Sequence, residues 1–287
     1  MNKKQYQILL LLSFVILFIS CGGTRQQRNM LSRAERLLNS HPDSSLKILD
    51  SARNEVPDFP RSFRMKYELL HAAAQNKAYI NFTSDSVMKE VVDYYDSHGT
   101  ANEQLQAHYV LGCVYFKLND SPRAMRCLHE AVERADTASD KCDFNLLSRA
   151  YNVMGYSYGR QLDPRNSLRQ LSFAYKYALR SKDTLLAINC YEQRVDAYFN
   201  LKMADSVISI CKRVSAMYRQ INMNKESAVA LSPSLFEHLE QGNIVMAKSE
   251  LDYIEQQPEI FEKNGKLSEN LNLYYFKGAY YMSIGRM

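Results

Sequence analysis

Apolar positions recur along this chain with a helical period, in pairs of stretches separated by short polar turns. The clearest pair is Ala107 to Ala131, AHYVLGCVYFKLNDSPRAMRCLHEA. Its first stretch sets Leu111, Gly112 and Tyr115 on one face, with His108 one turn earlier. The turn is Asn119-Asp120-Ser121-Pro122. The second stretch sets Ala124, Leu128, Ala131 and Val132 on one face. Gly112 and Ala131 are small enough to let two helix backbones approach, and Tyr115 fills the space beside them. The pair therefore reads as a helix hairpin with a tight interior.

The same unit recurs. Tyr115, Tyr158, Tyr198, His238 and Tyr281 follow one another at intervals of 43, 40, 40 and 43, and Gly112, Gly155 and Gly278 hold one equivalent position. A first hairpin runs from Met30 to Val56, with Ala34, Leu37 and Leu38 facing Leu46, Ile48 and Leu49. A second runs from Arg61 to Ser97, pairing Tyr67, Leu70 and Ala74 with Val87, Val91 and Tyr94. The fourth, Asn145 to Lys182, sets Tyr151, Met154, Gly155 and Tyr158 against Leu171, Ala174 and Ala178. Its turn, Gly159 to Asn166, reads as longer than the others. The fifth, Thr184 to Met223, has Val195 at the glycine position. The sixth, Glu226 to Lys263, sets Leu235 and Leu239 against Ala247, Leu251 and Ile254. A seventh begins at Leu267 without its second helix, so the protein is expected to continue past Met287. Asp-Ser stands before the second helix at Asp43-Ser44, Asp85-Ser86, Asp120-Ser121 and Asp205-Ser206, where it would cap free backbone N–H groups.

The Leu111-Gly112-x-x-Tyr115 run, followed by Ala124, Leu128 and Ala131, resembles the tetratricopeptide (TPR) family, whose hairpins stack on copies of themselves. His108 stands where that family has a large apolar residue. The spacing also exceeds the roughly 34 residues of the short family form. PDSSLKILDSA at Pro42 to Ala52 and SDSVMKEVVDYYDSHG at Ser84 to Gly99 look like bacterial TPR lipoproteins of unassigned function. The resemblance implies an all-α fold, a right-handed αα-solenoid of about six and a half hairpins over residues 30–287. It also implies a scaffold that binds a protein or peptide.

Composition agrees with helices. Ten Gly and seven Pro in 287 residues are too few for a turn-rich β fold. Met1 to Ser20 reads as an export signal. Lys3 and Lys4 lead it, and Ile8 to Ile19 are apolar except for Ser13. Those twelve residues fall short of the roughly 18 that span a bilayer. Leu17-Phe18-Ile19-Ser20-Cys21 resembles a lipobox, which makes Cys21 the lipidation site and residues 21–29 a polar tether. Gly22 after Cys21 points to the outer membrane rather than the inner one. The formal charge of +5 includes Lys3 and Lys4, and the rest is interspersed, so no nucleic-acid surface is expected. The Cys after position 21 fall within helical patterns, apart from one, and are expected as buried thiols.

No phosphate loop, dinucleotide fingerprint or zinc-hydrolase helix is present. The six His are scattered. The expectation is a protein that is not an enzyme, with no metal and no cofactor. In a TPR array the first helices line the concave groove. Their outward positions include Tyr109 and Lys117 in the third hairpin, Arg149, Asn152, Tyr156 and Arg160 in the fourth, and Glu192, Asp196, Phe199 and Asn200 in the fifth. A Lys-then-Asn carboxylate clamp is not matched: Lys66 is in place, but Leu70 replaces the Asn. The leading reading is a membrane-anchored scaffold lipoprotein of the cell envelope that binds a protein or peptide partner. One alternative is the external sensor part of a longer signalling protein. Another is a glycan- or solute-binding outer-membrane lipoprotein, against which the absence of Trp counts.

Overall fold

The computed structural model describes residues 25–257 and 273–285, and these are helices joined by turns. The expected export signal, Cys21 and the start of the expected seventh hairpin lie outside them. The chain divides into two compact units, one ending at Cys142 and one beginning at Asp143.

In the first unit α1 spans residues 25–37, so the helix already includes Arg25 to Asn29, which the sequence pattern assigns to the tether. It pairs with α2 (Pro42–Ser51), and the Ser45 hydroxyl donates to the Ala34 carbonyl at 2.8 Å across a buried crossing. The second hairpin is α3 (Arg61–Lys77) with α4 (Ser86–His98), and the third is α5 (Ala101–Lys117) with α6 (Ser121–Arg134). Leu49, Leu70, Val91, Leu111 and Ala124 belong to one continuous core. Gly112 is where the sequence places it. A Cβ there would come within 3.1 Å of Leu128 Cγ and 3.3 Å of the Ala124 carbonyl. On α4 the expected face is corrected: Val87 is exposed and Tyr94 half-buried, while Met88, Val92 and Tyr95 join Val91 in the core.

Buried histidines tie successive hairpins in this unit. His71 Nε2 lies 3.0 Å from Asp50 Oδ1, with the ring stacked on Tyr67. His108, only 3% exposed, sets Nε2 2.9 Å from Asp96 Oδ1 and Nδ1 3.2 Å from Glu130 Oε2. Through Nε2 it thus joins α5 to α4 where an apolar residue would only pack, while Nδ1 is enclosed beside Glu130 without a hydrogen bond.

The second unit contains α7 (Phe144–Arg160), α8 (Pro164–Arg180), α9 (Thr184–Glu192), α10 (Arg194–Asn200), α11 (Ala204–Gln220), α12 (Asn224–Val229), α13 (Ser232–Glu240), α14 (Ile244–Glu255) and α15 (Leu273–Ser283). Gly155 sits against Leu171, with a Cβ position 2.7 Å from Leu171 Cγ. The expected first helices of the fifth and sixth hairpins are each in two pieces. At Gln193 the chain stays near helical and its N–H still reaches the Asn189 carbonyl at 3.1 Å. Between α12 and α13, Pro233 sits in the first turn of α13 and brings no N–H to continue the preceding helix. Gly278 differs from its supposed equivalents, because a Cβ there would meet nothing within 4 Å among the described residues.

The turns within hairpins three to six share one geometry. Asn119, Leu162, Lys202 and Gly242 are left-handed, with φ of 60°, 57°, 57° and 69°. The N–H of the next residue then returns to the carbonyl five positions back: Asp120 to Tyr115, Asp163 to Tyr158, Met203 to Tyr198 and Asn243 to His238, at 2.8–3.0 Å. Tyr115, Tyr158, Tyr198 and His238 of the ladder thus supply the carbonyls that close the first helices of these four hairpins. The expected long turn of the fourth hairpin is corrected, since α8 begins at Pro164 after Gln161, Leu162 and Asp163.

The expected caps are also revised. Of the four Asp-Ser pairs, Asp120 caps through its side chain, accepting from the Arg123 N–H at 3.0 Å. Asp43 and Asp205 lie inside the first turns of α2 and α11. Asp85 turns its carboxylate to Lys89 and Arg123. Capping carboxylates also come from Asp143, Asp163 and Asp183, and Thr100 forms a capping box with Glu103.

Candidate functional site

In the second unit a cleft of about 340 Å³ opens between α7, α8 and the α9–α10 break. The short turn returns α8 close beside α7, so Leu171 and Ser167 reach its floor. Gly159 leaves the floor open, since a Cβ there would have only Ser167 Oγ within 4 Å, at 3.6 Å. Ala197 closes the α10 side. Tyr156, 57% exposed, and Phe199, 44% exposed, form the aromatic walls. Phe199 is braced by Phe236, ring centres 5.8 Å apart.

The polar groups of the rim are Arg160, Gln193, Asp196 and Asn200. The Arg160 guanidinium lies 6.0 Å from the centre of the Tyr156 ring. No ion pair or hydrogen bond among the described residues occupies the side chains of Arg160, Asp196, Gln193 or Asn200. Arg160 and Asp196 project from different helices into one cleft without pairing. Such a surface can hold an apolar group beside aromatic side chains and fix the polar groups next to it.

Of the expected groove residues, the structure brings Tyr156, Arg160 and Phe199 together here, with Asp196 and Asn200. The others do other things. Arg149 donates from Nε to Asn145 Oδ1 at 2.8 Å. Asn152 is half-buried, and its Oδ1 is enclosed without a hydrogen-bond partner. Glu192 faces α11, where the Tyr218 hydroxyl donates to it at 2.7 Å, and burial raises its carboxyl pKa. In the first unit Lys117 donates to the Ile80 carbonyl at 2.8 Å, and burial lowers its pKa. Tyr109 is half-buried against that unit's core. Lys66 is held by Glu35 at 2.6 Å, and Leu70 is buried.

The sequence reading missed Gly159, Ser167, Gln193 and Ala197 as cleft residues, and expected Leu171 only as a core position of the hairpin. Gly159 carried a usable signal, as a small residue one turn after Gly155 on a helix otherwise lined with Tyr. Ser167 and Gln193 carried none, because one comes from a second helix and the other from a helix break.

A second polar centre lies between α11, α13 and α14. Glu250, 5% exposed, accepts from the Ser234 hydroxyl at 2.8 Å and lies 3.8 Å from Lys212 Nζ. His238, 4% exposed, sets Nε2 3.6 Å from the same oxygen. Glu250 Oε2 and both His238 nitrogens are enclosed without hydrogen-bond partners. Burial raises the Glu250 pKa and, with help from Lys212, lowers that of His238. Cys113, Cys127, Cys190 and Cys211 are buried free thiols, and Cys142 is buried as well. Among the described residues no helix is long and apolar enough to cross a membrane.

No family model matches the chain, and no curated protein does. Solved structures do. The apo form of RapI is similar with a TM-score of 0.73 at 11% identity, over 91% of this chain and 71% of RapI. BtubC from P. vanneervenii is similar with a TM-score of 0.55 at 12% identity, over 77% of this chain and 85% of BtubC. With the hairpins and their glycine-lined crossings, these likenesses make the fold an all-helical, TPR-like repeat fold.

Proposed function

We propose that this protein is a membrane-anchored, TPR-like scaffold lipoprotein that binds a protein or peptide partner in the cell envelope, without catalysis. The cleft between α7, α8 and α10 carries the reading: it exposes two aromatic rings over an apolar floor and leaves its rim charges unpaired. Exposed aromatic and Arg side chains around a concave site are the kind that dominate recognition energies. The anchor rests on the sequence, an export-signal pattern over Met1 to Ser20 followed directly by Cys21. The outer membrane is the proposed location.

Two measurements test it. A photo-crosslinking amino acid at Tyr156 or Phe199 should yield a defined adduct in cells, absent when the probe replaces Lys176. Equal labelling at all three sites counts against the cleft. Labelled palmitate should enter the protein and be lost in Cys21→Ala; no incorporation removes the anchor.

A further inference from the structure

We infer that the α7–α8–α10 cleft takes a short peptide with free ends and an aromatic side chain. This rests on the reading of the protein as a peptide-binding scaffold and names the chemistry of what it binds. Size is the first argument. At about 340 Å³ the cleft stands at the lower end of ligand pockets, roughly 300–1,000 Å³, so it suits one or two residues rather than a folded surface. Chemistry of the walls is the second. Tyr156 and Phe199 stand exposed over Leu171, a setting that favours an aromatic ring between them.

Charge is the third argument and decides the ends. Arg160 enters from α7 and Asp196 from α10, and neither is neutralised by the other or by another described residue. A ligand of one sign would satisfy one of them and be repelled by the other. A zwitterion satisfies both: its carboxylate takes the two-pronged guanidinium of Arg160, and its ammonium donates to Asp196. Gln193 and Asn200 each offer an amide donor and an acceptor for the peptide group between those ends.

Titration calorimetry of the full, acylated protein in detergent tests this with the dipeptide Phe-Gly. The expected result is saturable heat, weakened at least about tenfold by N-acetylation or by C-terminal amidation. In Arg160→Gln the amide should bind as well as the free acid. In Asp196→Asn the acetylated peptide should bind as well as the free amine. Both side chains are exposed, and unchanged thermal melts would show that the variants fold. Absence of saturable heat with Phe-Gly, or equal affinity for the doubly blocked peptide, overturns the inference. Binding that neither substitution alters overturns it too. A cleft-specific cellular adduct alongside a silent Phe-Gly titration would leave the scaffold reading standing and remove this one.

Discussion

Gly155 lies under Leu171 so closely that a methyl group added to it would sit 2.7 Å from Leu171 Cγ and 3.3 Å from the Leu171 backbone nitrogen. The equivalent contact at Gly112 is looser, 3.1 Å to Leu128 Cγ. Replacing Gly by Ala inside a helix is worth about 1 kcal/mol of propensity, whereas overpacking costs about 1–3 kcal/mol. Gly155→Ala should therefore destabilise, while Gly112→Ala should be near neutral and Gly112→Leu clearly destabilising. Thermal melts of the three variants check the order, and a stabilised Gly155→Ala would mean that Leu171 swings aside.

The caps give a second contrast. The Asp183 carboxylate accepts from the Leu186 N–H at 2.9 Å and from Asn145 Nδ2 at 2.9 Å, whereas Asp205 makes no capping bond. Asp183→Ala should cost about 1–2 kcal/mol in urea unfolding. Asp205→Ala should leave the midpoint nearly unchanged, and equal losses would contradict the assignment.

Burial sets opposite proton demands on Glu250 and His238. The carboxyl, raised above its ordinary 4.5, favours folding at low pH, and that contribution is lost as pH rises through its folded value. The imidazole, lowered below its ordinary 6.5, favours folding at high pH, and that contribution is lost as pH falls through its folded value. Relative to the parent, Glu250→Gln should gain stability at pH 8 over pH 4. His238→Gln should gain at pH 4 over pH 8. Melting temperatures across pH 4–8 check both slopes, and parallel curves would exclude these residues as their source.

Leu162 is 78% exposed and holds φ at 57°. A left-handed backbone costs a side chain with a Cβ roughly 1–2 kcal/mol, and Asn tolerates it better. Leu162→Asn should therefore raise the melting temperature, because little packing is lost. A lowered melting temperature would show that Leu162 has contacts that outweigh its backbone cost.

Much of this was legible in the residues, for identifiable reasons. Gly112 and Gly155 stood out because a bare position amid large apolar residues means close backbones. The ladder of Tyr115, Tyr158, Tyr198 and His238 marked the helix ends because one turn geometry repeats there. On α4 periodicity could not choose between faces, since Val87, Met88, Val91, Val92, Tyr94 and Tyr95 cover two adjacent ones. Capping was misread because it depends on phase. An Asp caps when it follows the left-handed residue, as Asp120, Asp163 and Asp183 do, and not when it falls two places later, as Asp205 does. Of the cleft, Tyr156 and Arg160 were legible as one stripe of α7. Their neighbours came from other helices, which no single-helix pattern can reveal.

Three of the left-handed residues of the second unit, Leu162, Lys202 and Gly242, which lie in the turns within hairpins, stand forty positions apart, each followed by the same backbone closure. A genetic crossover between two such turns would excise or duplicate one whole hairpin and leave every later helix in phase. Chains of this design can thus change length by recombination in steps of a single hairpin, with each junction falling where the backbone is already interchangeable.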